Sequence, residues 1–300
     1  MSERDTAGPP QIFDRHLYAV RRARAERLRP DGFLVAEVAA HLAERIGAVN
    51  RRFERGLDLS SRDEGYEQVR GAPASWTRAK LYPASDAIVA DEEALPFAAE
   101  SFDLIVSVLS LHAVNDLPGA LIQIRRALRA DGLFLAALFA GDTLTELRDA
   151  FARGEGEVLG GASPRVAPFA DVRDLGGLLQ RAGFALPVSD VERTTVRYRS
   201  FDALVGDLRG LGETNALTKR RRKFLRRDVL AATLAHYSAA HGEADGRLRA
   251  TFDVAYLTGW APHESQPKPL EPGTARARLA DALGAHEHSA GDKAKPPRQG

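Results

Sequence analysis

Cysteine is absent from all 300 residues, which excludes disulfides, thiolate zinc sites, cysteine-ligated clusters and thiol nucleophiles. Surplus charge is absent too. Lysine and arginine total 42 against 41 acids, a formal net charge of +1, and so even a balance argues against a general nucleic-acid binder. No apolar run approaches the length of a bilayer span, and the polar start Met1-Ser2-Glu3-Arg4-Asp5 has no apolar signal core. We therefore expect a cytoplasmic protein with no nucleic-acid partner and no transmembrane segment. Two local absences matter more. No glycine lies between Asp58 and Glu64, and no acid occurs from Gln68 to Ser85.

What is present reads as alternating α/β. Ile88-Val89-Ala90-Asp91 is a short apolar run ending in an acid. Leu95-Pro96-Phe97 is a turn, and Leu104 to Leu109 is a second apolar run after Phe102-Asp103, the pattern of two buried parallel strands. Pro118 marks a helix start, and Leu121, Ile124 and Leu128 recur at helical spacing until Asp131-Gly132 stops them. Leu133 to Phe139 is then a further buried strand. An acid at a strand's carboxyl end, followed by strand, helix and strand, is how doubly wound sheets build a ligand crevice.

The flanks are mostly helical. Gln11 to about Val49 predicts two helices separated by Pro30-Asp31-Gly32, with Leu28, Phe33, Leu34, Val38, Leu42 and Ile46 as core positions. Asp142 caps another helix, Asp171 to Ala182 is a helix stopped by Gly183, and Val188 to Tyr198 alternates as a strand. Ser200 to His241 reads as helix and Thr251 to Trp260 as the last strand. The expected division is a disordered leader 1–10, a helical cover 11–50, a Rossmann-like domain 51–198, a helical insertion with the last strand 199–261, and an irregular, partly disordered tail 262–300.

This order resembles a class I S-adenosylmethionine (SAM) methyltransferase. The resemblance implies that Asp91 and Glu92 contact adenine and that the segment from Ser110 to Pro118 lies beneath the cofactor, with Ser110 and Leu111 beside it. It also places Asp58 and Ser60 in the loop that cradles the methionine carboxylate. Such loops carry glycines because backbone N–H groups must approach the ligand. Here Arg62, Asp63 and Glu64 put bulky charge in that loop, and the second strand has no acid for the ribose hydroxyls. The span of 33 residues from Asp58 to Asp91 (91 − 58) is also short, since two crossovers and two strands want about 40. One reading is weak or lost SAM binding on a retained scaffold. Another is an active methyltransferase with Ser60 and Ser61 replacing glycines, and a third is a non-catalytic interaction module.

Several segments together resemble a narrower family. Ile12-Phe13-Asp14-Arg15, Ala90-Asp91-Glu92-Glu93, Leu109-Ser110-Leu111-His112, Gly141-Asp142-Thr143-Leu144, Asp207 to Asn215, and Gly259-Trp260 with His263-Glu264-Ser265-Gln266 are similar to the methyltransferase-like assembly factors of respiratory complex I, in bacterial form. More distantly the chain resembles the malonyl carrier-protein methyltransferase of biotin synthesis. The resemblance implies a protein partner, a peripheral complex I subunit, and modification of an arginine by hydroxylation in the mitochondrial member. Ala113 departs from it, the family's usual residue there being tryptophan.

His112 and Asn115 are the candidates for polar work near the cofactor, while Asp116 is read as a helix cap. Lys219 to Arg227 is a basic run suited to an acidic partner or an anionic membrane face, or else a solvated helix start. His241-Gly242-Glu243 matches two thirds of an iron triad but reads as a turn, and His286-Glu287-His288 as a polar tract. No metal site is expected.

Overall fold

A computed structural model of the chain describes residues 10–28, 32–59, 65 and 69–267. Two compact units divide the chain, Met1–His263 and Glu264–Gly300. Of the second, residues 264–267 are described and carry a turn at Glu264 and Ser265. Ser60 to Glu64 and His286 to His288 fall outside the described residues.

The first unit is built on seven strands: β1 (Arg55–Asp58), β2 (Ser75–Lys80), β3 (Ile88–Val89), β4 (Phe102–Val108), β5 (Leu128–Ala140), β6 (Ala185–Tyr198) and β7 (Leu248–Trp260). Their order across the sheet is β3-β2-β1-β4-β5-β7-β6. The first five run parallel, and β7 is antiparallel to both of its neighbours. This is the Rossmann-like sheet that the sequence order implies. Strand order reverses between β1 and β4, so the crevice for a ligand lies outside their carboxyl ends.

Helices cover both faces, which is why β5 is apolar from Leu133 to Ala140 instead of alternating. Leu133, Leu135, Ala137 and Phe139 face the core formed with α2 (Phe33–Ala48), α4 (Thr145–Leu159), α6 (Phe201–Leu211) and α7 (Arg227–His241). Phe134, Ala136, Leu138 and Ala140 face α3 (Leu117–Ala127) and α5 (Val172–Arg181). Side-chain caps start three of these helices, from Asp116, Asp171 and Ser200. The remaining helix, α1 (Arg15–Leu28), lies apart from the two main cores.

Connections explain the short span seen in the sequence. Residues 81–87 carry the chain from β2 to β3 through a turn closed by an Ala84–Ala87 bridge, with no helix. One crossover is thus reduced to a loop.

Four expectations are corrected. Leu28 and Phe33 are 55% and 45% exposed, because each is the terminal residue of its helix. Leu128 ends no helix. It opens β5, and Asp131 and Gly132 instead kink that strand, Asp131 with φ 60°. The helix near Asp142 begins at Thr145, after a turn in which Leu144 has φ 55°. Residues 212–226 interrupt the predicted helix from Ser200 to His241, so the basic run is a loop that enters α7 at Arg227.

Helices α4 and α7 approach so closely that a Cβ on Gly154 would lie 2.6 Å from Thr233 N and 2.8 Å from Thr233 Cα. Both are backbone atoms, which cannot swing aside. Gly154→Ala should therefore cost about 1–3 kcal/mol in urea unfolding. Gly156→Ala on the same helix meets nothing within 4 Å and should instead gain up to about 1 kcal/mol of helix propensity. Equal effects of the two changes would contradict this packing.

Candidate functional site

The crevice outside β1 and β4 is occupied by α1. Three side chains spaced along one face of that helix, Arg15, Tyr18 and Arg22, descend onto the strand ends, where each finds a carboxylate. Arg15 reaches Asp91 Oδ1 at 2.6 Å and also bridges Glu92. Glu92, 5% exposed, accepts as well from the Ser110 hydroxyl. Burial alone would lower the Arg15 guanidinium, and its two carboxylates more than reverse that and hold it above its ordinary value.

Tyr18 and Arg22 converge on Glu213, on the segment after α6. The Tyr18 hydroxyl donates to Glu213 Oε1 at 2.8 Å and Arg22 Nη1 to the same oxygen at 2.9 Å. The other oxygen, Oε2, lies 3.0 Å from His112 Nε2. Burial would raise the Glu213 carboxyl, but His112 and Arg22 beside it outweigh this and hold it below the usual carboxylate value. Burial pushes the Tyr18 hydroxyl up, which keeps it a donor.

Lys80 is the last residue of β2, the place where the resemblance leads one to look for a ribose-binding acid. Its side chain is 3% exposed, and Nζ contacts Glu26 Oε1 at 2.7 Å and Asp86 Oδ1 at 3.2 Å. Burial opposes the ammonium; the two acids reverse this and raise it above its ordinary value.

The predicted residues divide into groups. Asp58 ends β1 and is buried, Ser110 and Leu111 are buried in the turn after β4, and Asp91 and Glu92 stand at the strand end beside them. Ser60 lies outside the described residues. His112 joins the Glu213 cluster with its Nδ1 buried and without a partner. Asn115 does different work from that expected. Its Oδ1 accepts from Phe13 N at 2.7 Å and its Nδ2 donates to Phe13 O at 3.2 Å, so the amide is spent on pinning the chain that leads into α1. Asp116 caps α3 through Gly119 N at 2.9 Å.

Sequence reasoning missed Arg15, Tyr18, Arg22, Lys80 and Glu213 as site residues. Arg15 and Glu213 lie within segments that carried the family resemblance, which was a usable signal. Lys80 stood inside the acid-free stretch, but the inversion of charge needs the strand end to be located. His241 and Glu243 do not pair with each other; they contact Asp149 at 3.4 Å and Arg197 at 3.0 Å. Among the described residues no group of three His, Asp or Glu could hold a metal, and no helix is long and apolar enough to cross a membrane.

Space decides what can bind. Between the strand ends Tyr18, Arg22, Leu59, Lys80, Glu92 and Ser110 enclose about 10 Å³, room for roughly one water. An open groove of about 410 Å³ remains on the outer side of Arg15, along Leu81, Ala90 and Asp91. The groove beside Asp91 is thus open, whereas the space that these described residues enclose between the strand ends is smaller than a ribose. A separate cavity of about 200 Å³ lies beside His112 and Glu213, walled by Phe139, Phe151, Phe169 and Phe252.

Comparison with known proteins agrees with this architecture. Residues 54–136 match the family described as Methyltransferase domain. The chain is 36% identical over 286 residues to the mitochondrial arginine-hydroxylase NDUFAF5 of Danio rerio, covering 90% of this chain and 89% of that protein. It is 39% identical over 290 residues to the human protein of that name, with 90% and 83% covered. A malonyl-[acyl-carrier protein] O-methyltransferase of Halorhodospira halophila is 35% identical over 275 residues, with 84% and 90% covered. The crystal structure of YcgJ from Bacillus subtilis shares the fold at TM-score 0.51 and 12% identity, covering 76% of this chain and 99% of that one.

The Glu213 cluster makes a stability prediction. A carboxyl held below its ordinary value contributes stability that is present above that ordinary value and fades as pH falls through the depressed one. Glu213→Gln should therefore flatten the acid limb of the stability curve. At neutral pH it should cost about 3–5 kcal/mol, since Arg22 is left buried without its carboxylate. Arg22→Met with Glu213→Gln should recover part of that loss, because both charges go together. Chemical denaturation across pH reads all three; an acid limb unchanged by Glu213→Gln would remove Glu213 from this role.

Proposed function

This chain belongs to the arginine-hydroxylase NDUFAF5 family, and from that premise we propose that it acts on or docks to a protein partner in complex I assembly without depending on methyl transfer. The observation that carries this reading is the filled crevice. In this reading Arg15, Tyr18 and Arg22 fasten α1 over the strand ends that a ribose would need, and Lys80 stands where a ribose-binding acid is wanted. The glycine-free loop after Asp58 points the same way.

Magnitudes support weak SAM binding. Admitting the cofactor means separating Arg15 from Asp91 and Glu92, and breaking a buried pair costs about 3–5 kcal/mol. A site that would otherwise reach micromolar affinity, about −8 kcal/mol, would fall to about −4 kcal/mol, or millimolar.

For the partner, the cavity beside His112 is the entry point we favour. The relatives are named for arginine hydroxylation. A guanidinium suits aromatic walls such as Phe139 and Phe169. With Nε2 engaged by the Glu213 carboxylate, the buried Nδ1 of His112 is left for one further hydrogen bond.

Two measurements test the proposal. In thermal unfolding, millimolar SAM should raise the midpoint by no more than about 1 °C. A ligand at about 100 times its dissociation constant stabilises by about 2.7 kcal/mol, so a rise of several degrees would establish the active methyltransferase reading instead. In biolayer interferometry with a peripheral complex I subunit, Phe169→Leu should weaken capture by about 0.5–2 kcal/mol, with SAM making no difference. Affinity unaffected by Phe169→Leu retires this cavity.

A further inference from the structure

Elsewhere two arginines of α1 and one of α6 face one cavity with no carboxylate among the described residues of its walls. Arg21 and Arg24, with Arg209 from the last turn of α6 and Thr214 just beyond it, line about 270 Å³. Arg22 locks the two helices together from the other side. Its Nη1 donates to Leu211 O at 3.0 Å and to Glu213 at 2.9 Å. Gly212, at φ 80°, makes that approach possible, since a Cβ there would lie 2.6 Å from Arg22 Cδ and 3.2 Å from its Cα. The three arginines are therefore presented from a fixed frame.

Arg24 and Arg209 are exposed and Arg21 is half-buried. Among the described residues, the side chains of Arg21, Arg24 and Arg209 form no hydrogen bond or ion pair, in contrast to those of Arg15 and Arg22. One Nη of Arg21 is fully enclosed and has no partner. Enclosed polar atoms in folded proteins are almost always satisfied, so the Arg21 guanidinium has hydrogen-bonding capacity to spare. Burial and the neighbouring Arg220 both oppose the charge on Arg21, and Asp14 offsets them only in part. Asp14 is itself engaged by Arg220 at 3.2 Å. Beyond Arg220 the loop continues as exposed Arg221, Arg222 and Lys223 with Phe224 fully exposed, which extends the positive field outward.

We infer that the cavity framed by Arg21, Arg24, Arg209 and Thr214 binds a phosphate group, carried either by a small phosphoester in solution or by the headgroup of an anionic lipid. Planar guanidinium forks match phosphate oxygens in pairs, and a threonine hydroxyl supplies a further donor. The volume exceeds what inorganic phosphate needs and leaves room for a glycerol-sized substituent.

The test uses the full chain with inorganic phosphate and glycerol 3-phosphate at constant ionic strength, and phosphatidylcholine vesicles with and without phosphatidylglycerol. At ten times its dissociation constant a soluble phosphoester should raise the unfolding midpoint by about 3 °C. Arg24→Gln with Arg209→Gln should weaken that binding about tenfold or more, while the midpoint without ligand stays at or above that of the unaltered chain, because these side chains hold no protein partner. Flotation on phosphatidylglycerol vesicles alone, lost in the same double variant, assigns the lipid source. A loop variant, Arg221→Gln with Arg222→Gln and Lys223→Gln, should keep the soluble-phosphate response. No response to any probe overturns the inference. So does a response that survives the double variant, or flotation lost only in the loop variant.

Discussion

The carboxylate of Glu213 is the point on which the site depends. It gathers a hydroxyl, a guanidinium and an imidazole from α1 and from the turn after β4, elements far apart in the chain. An isolated charge buried this deeply would cost more than it returns, and only full use of both oxygens makes it favourable. Because the partners come from separate elements, the cluster fixes where α1 lies as well as how the loops meet. The closure of the crevice and the framing of the arginine cavity both follow from that placement.

A second constraint acts through charge sign. A sheet that binds a nucleoside ends its second strand in an acid, which leaves that strand end free to accept from hydroxyls. Lys80 reverses the requirement, since a buried ammonium needs acceptors of its own and takes them from Glu26 and Asp86. Glu26 sits on α1, so the inverted residue also helps fasten the helix that fills the crevice. Arg15 does the same at the third strand end. Lys80 and Arg15 thus both tie α1 to the strand ends.

Much of the fold was legible because buried parallel strands and capped helices write strong local patterns. The run Leu133 to Phe139, the cap Asp116, and the helix that follows Asp171 and stops at Gly183 all stand as read. Reading failed where tertiary context overrides local pattern. Leu128 fits helical spacing yet pairs with Phe102 as strand, and Leu28 and Phe33 are apolar residues at helix ends that meet no core. The site was less legible for a similar reason. Asn115 and His112 are neighbours in sequence, but their roles are set by Phe13 and Glu213, each about a hundred residues away. Nothing local distinguishes an amide that pins a backbone from one that meets a substrate.

The shortened connection between β2 and β3 has one further outcome. With no helix over 81–87, the outermost strand is left bare, and Ile88 and Val89 are 48% and 54% exposed. An uncovered apolar edge ordinarily invites pairing with another chain. Here the strand is two residues long, too brief a ladder to template a neighbour, so the molecule guards its margin against fibre formation by brevity.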